Sequence, residues 1–139
     1  PSSTTTYDDE YNITKDGFTI DAVGMVIGSD NPNSSPISGS RSFVLNGAQQ
    51  YNTYVTISGL QGVGTVSMKV APWKDGTGDR DTTLIVSDGT TTRRFPIPPY
   101  ADVQTLSIEF NNPFARQILI SPDTSEQRNA RIRIDDIRF

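Results

Sequence analysis

The clearest alternation in the chain runs through residues 64–71, where Val66, Met68 and Val70 fall on one side and Thr65, Ser67 and Lys69 on the other. A period of two is the signature of a strand with one face buried. Leu106, Ile108 and Phe110 repeat it. So does the C-terminal stretch Arg131-Ile-Arg-Ile-Asp-Asp-Ile-Arg-Phe139, in which Ile132 and Ile134 oppose Arg131 and Arg133. There the phase then slips, because Ile137 and Phe139 share the parity of the arginines. Asp135-Asp136 sits at the slip, and a β-bulge at that point re-aims every residue after it. Such a strand, ending the chain with apolar residues inside, is expected to close a sheet. Residues 18–27 form an apolar run that alternates at first through Phe18, Ile20 and Ala22, with Gly24 marking a bend or bulge. Shorter runs predict strands over 42–45, 54–57, 83–87, 93–97 and 117–120. Pro96 places its strand at an edge or ends it early. Asn46-Gly47 and Asp88-Gly89 are hairpin turn signals. Residues 28–40, rich in Gly, Pro, Asn and Ser, read as a long loop. The pattern predicts eight or nine strands, no crossover helix, and an all-β fold: a two-sheet antiparallel β-sandwich.

Composition narrows the chemistry. At 139 residues the chain is expected to be one domain, 1–139, with 1–16 a flexible or linker-like start. No apolar run approaches the ~18 residues of a membrane span. Cysteine and histidine are both absent. That excludes thiol nucleophiles, Ser-His-Asp triads and every imidazole or thiolate metal site. A metal would have to be a hard cation held by oxygen. The net charge of −4 argues against general nucleic-acid binding, which needs a positive field.

Three groups of residues are candidates for binding. The loop 73–81, opened by the only tryptophan, combines Trp73 with Asp75, Asp79, Arg80 and Asp81. An indole can stack on the C–H face of a sugar, and carboxylates and a guanidinium can bond its hydroxyls. The alternative is a core tryptophan beside a solvated turn. The same loop spaces oxygens as a calcium loop does, but Arg80 and Val86 stand where an EF-hand needs Gly and Glu, so that motif is rejected. A looser oxygen site stays open. Arginines, nine against three lysines, make the second group. Arg93, Arg94, Arg128, Arg131, Arg133 and Arg138 are expected to share a sheet face, with Arg94 and Tyr100 as ligand-binding residues for an acidic saccharide or acidic protein. The alternative is cross-strand pairing with acids. Third come the acids. Glu109, Asp79 and Asp135 could form a glycosidase pair, but nothing in the sequence places two of them in one cleft.

Ile134-Asp-Asp-Ile137 near the end of a β-rich chain resembles the closing strand of galactose-binding-like jelly rolls, as in bacterial carbohydrate-binding modules and surface-protein accessory domains. Gly39-Ser-Arg-Ser-Phe43 and Gly62-Val-Gly-Thr-Val-Ser67 resemble the same modules. The resemblance covers about residues 39–139. It implies a jelly roll, and a structural calcium at Asp135 and Asp136 with Asp21 or Asp16 as partners. The other reading of that pair is one Asp capping a bulge amide and the other paired with Arg138 or Arg133. The function implied is a non-catalytic module of a secreted or cell-surface protein that binds a polysaccharide or glycan, alongside other domains of a larger protein. The alternative is a protein-interaction or spacer domain.

Overall fold

The computed structural model describes residues 10–15, 17–23, 25–28, 41–46, 53–72, 82–98, 102–125 and 131–139. Eleven strands run through them. In chain order these are β1 (Glu10–Lys15), β2 (Phe18–Val23), β3 (Met25–Gly28), β4 (Arg41–Asn46), β5 (Tyr54–Ser58), β6 (Val63–Pro72), β7 (Thr82–Ser87), β8 (Thr92–Ile97), β9 (Gln104–Asn112), β10 (Gln117–Pro122) and β11 (Arg131–Arg138). A six-stranded sheet has the order β1-β2-β5-β10-β7-β8 and a five-stranded sheet the order β3-β4-β11-β6-β9. Every pairing is antiparallel. From β4 onward the chain changes sheet at each connection except the β7–β8 hairpin. This is a jelly-roll β-sandwich: the alternation predicts its two antiparallel sheets, and the resemblance of the closing strand implies the jelly roll.

Two-fold periodicity explains the core. Val55 and Ile57 from β5, Ile118 and Ile120 from β10, and Leu84 and Val86 from β7 line the inner face of the six-stranded sheet. Val66, Met68 and Val70 of β6 and Ile132 and Ile134 of β11 line the other. Each such side chain gains roughly 1.5–3 kcal/mol by leaving water. The Phe18–Ile27 run becomes β2 and β3, which belong to different sheets, and Gly24 between them lies outside the described residues. Pro96 lies on β8, an edge strand, where a missing N–H costs no ladder bond.

The structure departs from the sequence pattern at three places. Residues 10–15, expected within a linker-like start, form β1, paired along its length with β2. Strand β11 lies third of five, between β4 and β6, rather than finishing a sheet. The register slips between Asp135 and Arg138, as a bulge requires, and Asp136 adopts a positive φ of 50°. Ile137 then packs partly on the core, but Phe139 stays 54% exposed and stacks on Phe18, ring centroids 6.4 Å apart. The outer face of the five-stranded sheet is also not wholly solvated. Val44, Arg133 and Ala71 stand side by side in register there, and all are buried. Arg133 donates from Nε to the Pro72 carbonyl at 3.1 Å, and burial pulls its guanidinium below arginine's ordinary value.

The corners interlock at one end of the sandwich. Leu60 N–H donates to the Arg116 carbonyl at 3.1 Å and Gly62 N–H to the Ala115 carbonyl at 2.8 Å. Gly62 sits at φ 96°, and a Cβ there would lie 3.0 Å from the Pro113 carbonyl oxygen. Gly62→Ala is therefore expected to lose roughly 1–3 kcal/mol from backbone strain and crowding. Gly64→Ala, with nothing within 4 Å of its Cβ, should change stability by less than about 0.5 kcal/mol. Urea unfolding of the two variants measures the difference, and equal midpoints would contradict the interlock.

Candidate functional site

The β7–β8 turn begins with Asp88, whose side chain faces inward and is buried although it is charged. Burying an uncompensated carboxylate is costly, so its oxygens must find donors. Oδ1 accepts from Thr90 N–H at 2.9 Å and Thr91 N–H at 2.6 Å, which closes the turn. Oδ2 accepts from Asn112 Nδ2 at 2.9 Å. Asn112 ends β9 in the other sheet, so this bond ties the two layers together. Asn112 also works locally: its Oδ1 accepts from Phe114 N–H at 3.0 Å. Asn111, at φ 49°, lies at the register shift between β9 and β6 just before it. Desolvation works to raise the Asp88 carboxyl, but the bonds from Thr91, Asn112 and Thr90 outweigh it and hold the carboxyl below its ordinary value.

Between these two turns lies an open cleft of about 630 Å³. Its walls are the 88–91 turn and the 110–117 corner. Phe114 stands on this corner with 82% of its surface exposed, the most exposed of the large hydrophobic residues among those described. Arg116 and Gln117 continue the same wall. The arrangement offers an apolar ring beside backbone and side-chain hydrogen-bonding groups, on a scaffold fixed by Asp88 and Asn112.

Arg94, the one described residue among those expected to bind ligand, does not line this cleft. Trp73, Asp75, Asp79, Arg80 and Asp81, and also Tyr100 and Arg128, lie outside the described residues. Arg94 is on the outer face of the six-stranded sheet, opposite Ile85, and pairs with Asp123 at 2.9 Å. Bonds from the backbone and hydroxyl of Ser125, reinforced by Arg94, hold the Asp123 carboxyl below its ordinary value. The expected single arginine face is divided: Arg93 and Arg94 belong to β8, and Arg131, Arg133 and Arg138 to β11 in the opposite sheet. Nor do the carboxylates gather. Glu109 is on β9 of the five-stranded sheet, as is the Asp135-Asp136 pair on β11, whereas Asp21 lies on β2 of the six-stranded sheet. Asp135 Oδ1 accepts from Asp136 N–H at 2.8 Å, capping the bulge, and Asp136 Oδ2 pairs with Lys69 Nζ at 3.1 Å. The partner of the second carboxylate is thus a lysine of β6. Asp21 carries a buried Oδ1 with no hydrogen-bond partner. Among the described residues no three acids converge as a metal site, so these three alone do not fit a calcium ion. No helix among them is long and apolar enough to cross a membrane.

Phe114 has a signal in the sequence after all. In Asn111-Asn-Pro-Phe114 an aromatic residue sits inside a turn motif, between the end of β9 and the start of β10, where strand parity no longer dictates burial. Its exposure follows from that position. The Asp88–Asn112 bond has no such local signal, since its partners are far apart in sequence.

No protein-family model matches the chain, and no curated protein matches it. Solved structures similar to it include two point variants of CBM29-2, a family 29 carbohydrate-binding module. One is 15% identical, with a TM-score of 0.44 over 98% of this chain and 91% of that chain. The other is 15% identical, with a TM-score of 0.44 over 96% and 87%. TmCBM61 in complex with β-1,4-galactotriose is 16% identical, with a TM-score of 0.44 over 95% of this chain and 88% of that one.

The lowered Asp88 carboxyl has a pH consequence. Its folded value lies below the reference of 3.8, so folding favours the ionised form. The stabilisation is complete above that reference and is lost as pH falls through the folded value. Asp88→Asn keeps the shape but replaces one acceptor by a donor, and should lose roughly 2–3 kcal/mol at neutral pH. Thermal melts across pH should show the gap between wild type and variant closing in acid below 3.8. A gap of constant size would mean that the carboxylate charge is not what holds the turns.

Proposed function

We propose that this chain is a non-catalytic carbohydrate-binding module of a secreted or cell-surface protein, and that it binds glycan in the cleft beside Phe114. The observation that carries the reading is Phe114 itself, 82% exposed on a corner anchored by side-chain hydrogen bonds. An exposed phenyl ring contributes little to a core, whereas its face suits the C–H surface of a pyranose. The groups around it can bond hydroxyls. Among the described residues the cleft has one carboxylate, Asp88, and both its oxygens are spent on the scaffold. Glycoside hydrolysis by the usual route needs two carboxyl groups across the scissile bond. Binding without turnover suits the donor set better.

The Trp73–Asp81 loop is a separate candidate surface. It leaves from Pro72 and returns at Thr82, the end of β7 opposite the Asp88 turn. Six strand residues span about 17 Å, so a ligand at that end would be distinct from one at Phe114. A second reading, contact with another protein or domain, is favoured by the Phe18–Phe139 stack, whose rings are 39% and 54% exposed.

A glycan array followed by titration separates these readings. Binding to one or more polysaccharides is expected, and Phe114→Ala should weaken it by about 1–2 kcal/mol. The melting temperature of the variant should match wild type, because the exposed ring leaves no cavity. A blank array, or full affinity in Phe114→Ala, would refute binding at this cleft. Phe18→Ser serves as the control, since it should affect protein contacts and leave glycan affinity intact.

A further inference from the structure

Two charged residues line the cleft, and they differ in what they have left to offer. Asp88 is buried, and each of its oxygens is already bonded, to Thr90 and Thr91 on one side and Asn112 on the other. No cation contributes to holding its carboxyl low: the groups that do so are backbone amides and Asn112. Arg116 is exposed and follows Phe114 by two residues on the same wall. Among the described residues its side chain has one hydrogen bond, from Nη1 to the carbonyl of the preceding Ala115 at 3.2 Å. A guanidinium has five N–H donors in a planar fork, so most of its capacity is uncommitted. Neither the Lys69–Asp136 nor the Arg94–Asp123 ion pair includes Arg116. The contrast with Arg94 is direct, because Asp123 already occupies that arginine. In a protein of net charge −4, an arginine without an acidic partner beside an exposed ring is not explained by general surface balance.

We infer that the cleft selects an acidic saccharide, a uronic-acid residue whose ring stacks on Phe114 while its carboxylate receives the Arg116 fork. The inference rests on the carbohydrate-binding reading and adds the ligand's charge to it. A carboxylate accepts two parallel N–H bonds from a guanidinium, a geometry that a neutral hydroxymethyl group cannot reproduce. The remaining lining groups, Thr90, Asn111 and Gln117, are neutral and suit ring hydroxyls. The carboxylate of Asp88 is turned into the scaffold, which limits its repulsion of an incoming anion.

The test compares one sugar backbone in two charge states. Tetragalacturonate and its fully methyl-esterified form are titrated calorimetrically against the whole chain, in low and moderate salt. The free acid should bind about tenfold more tightly than the ester, with the advantage shrinking as salt rises. Arg116→Gln should abolish the preference, so that acid and ester bind alike. Phe114→Ala should weaken both forms. Equal affinity for acid and ester, or a preference that survives Arg116→Gln, overturns the acidic assignment while glycan binding stands. If neither form binds and the glycan array is blank, the underlying reading falls with it. Backbone amide shifts at 88–91 and 111–117 on titration locate the site independently of any variant.

Discussion

Two sheets joined by an apolar interface have no inherent registration, because hydrophobic contact is non-directional. At the cleft end of this sandwich one carboxylate supplies direction. Asp88 closes its own turn with one oxygen and reaches across to Asn112 with the other. Asn112 passes the constraint to Phe114 through its remaining amide oxygen. Three groups in series thus convert layer packing into a fixed position for one exposed ring. The β5–β6 corner adds a further hold through Gly62 and the Ala115 carbonyl. The order of dependence is clear. The core brings the layers together, Asp88 sets how their ends meet, and the cleft is what remains between them.

The same logic separates structural charge from available charge. Arg133 is buried against the Pro72 carbonyl, Arg94 is paired with Asp123, and Lys69 is paired with Asp136. These side chains contribute to position and solubility, and exposed pairs of this kind contribute little energy. Arg116 differs because its neighbours offer it a single carbonyl. Counting arginines would have ranked the C-terminal strand first, but partnership decides which of them can meet a ligand.

Much of the fold was legible. The alternations at Val66, Met68 and Val70 and at Ile132 and Ile134 do place those residues in the core, and the phase slip at Asp135-Asp136 is a bulge. Pro96 marks an edge strand. Strand β1 was hidden because its acidic surroundings carry no apolar periodicity of their own; it forms through backbone pairing with β2. Phe139 follows the expected parity but lies past the end of its strand, where parity no longer dictates burial. The cleft was hidden for a different reason. Asp88-Gly89 reads as a turn, and correctly so, but a turn signal does not reveal a partner on another sheet. The five described arginines failed as a group because strand parity is known only within one strand, and the assignment of strands to sheets is a property of the whole chain.

The β8 edge has a consequence beyond the single molecule. A sheet margin with free N–H and C=O groups invites pairing with a neighbour's margin. On β8, Pro96 removes one donor, and Arg93 and Arg94 put like charges along the same short strand. Two copies brought edge to edge there would face a gap in the ladder and mutual repulsion. Pairing of copies through their β8 edges is therefore disfavoured.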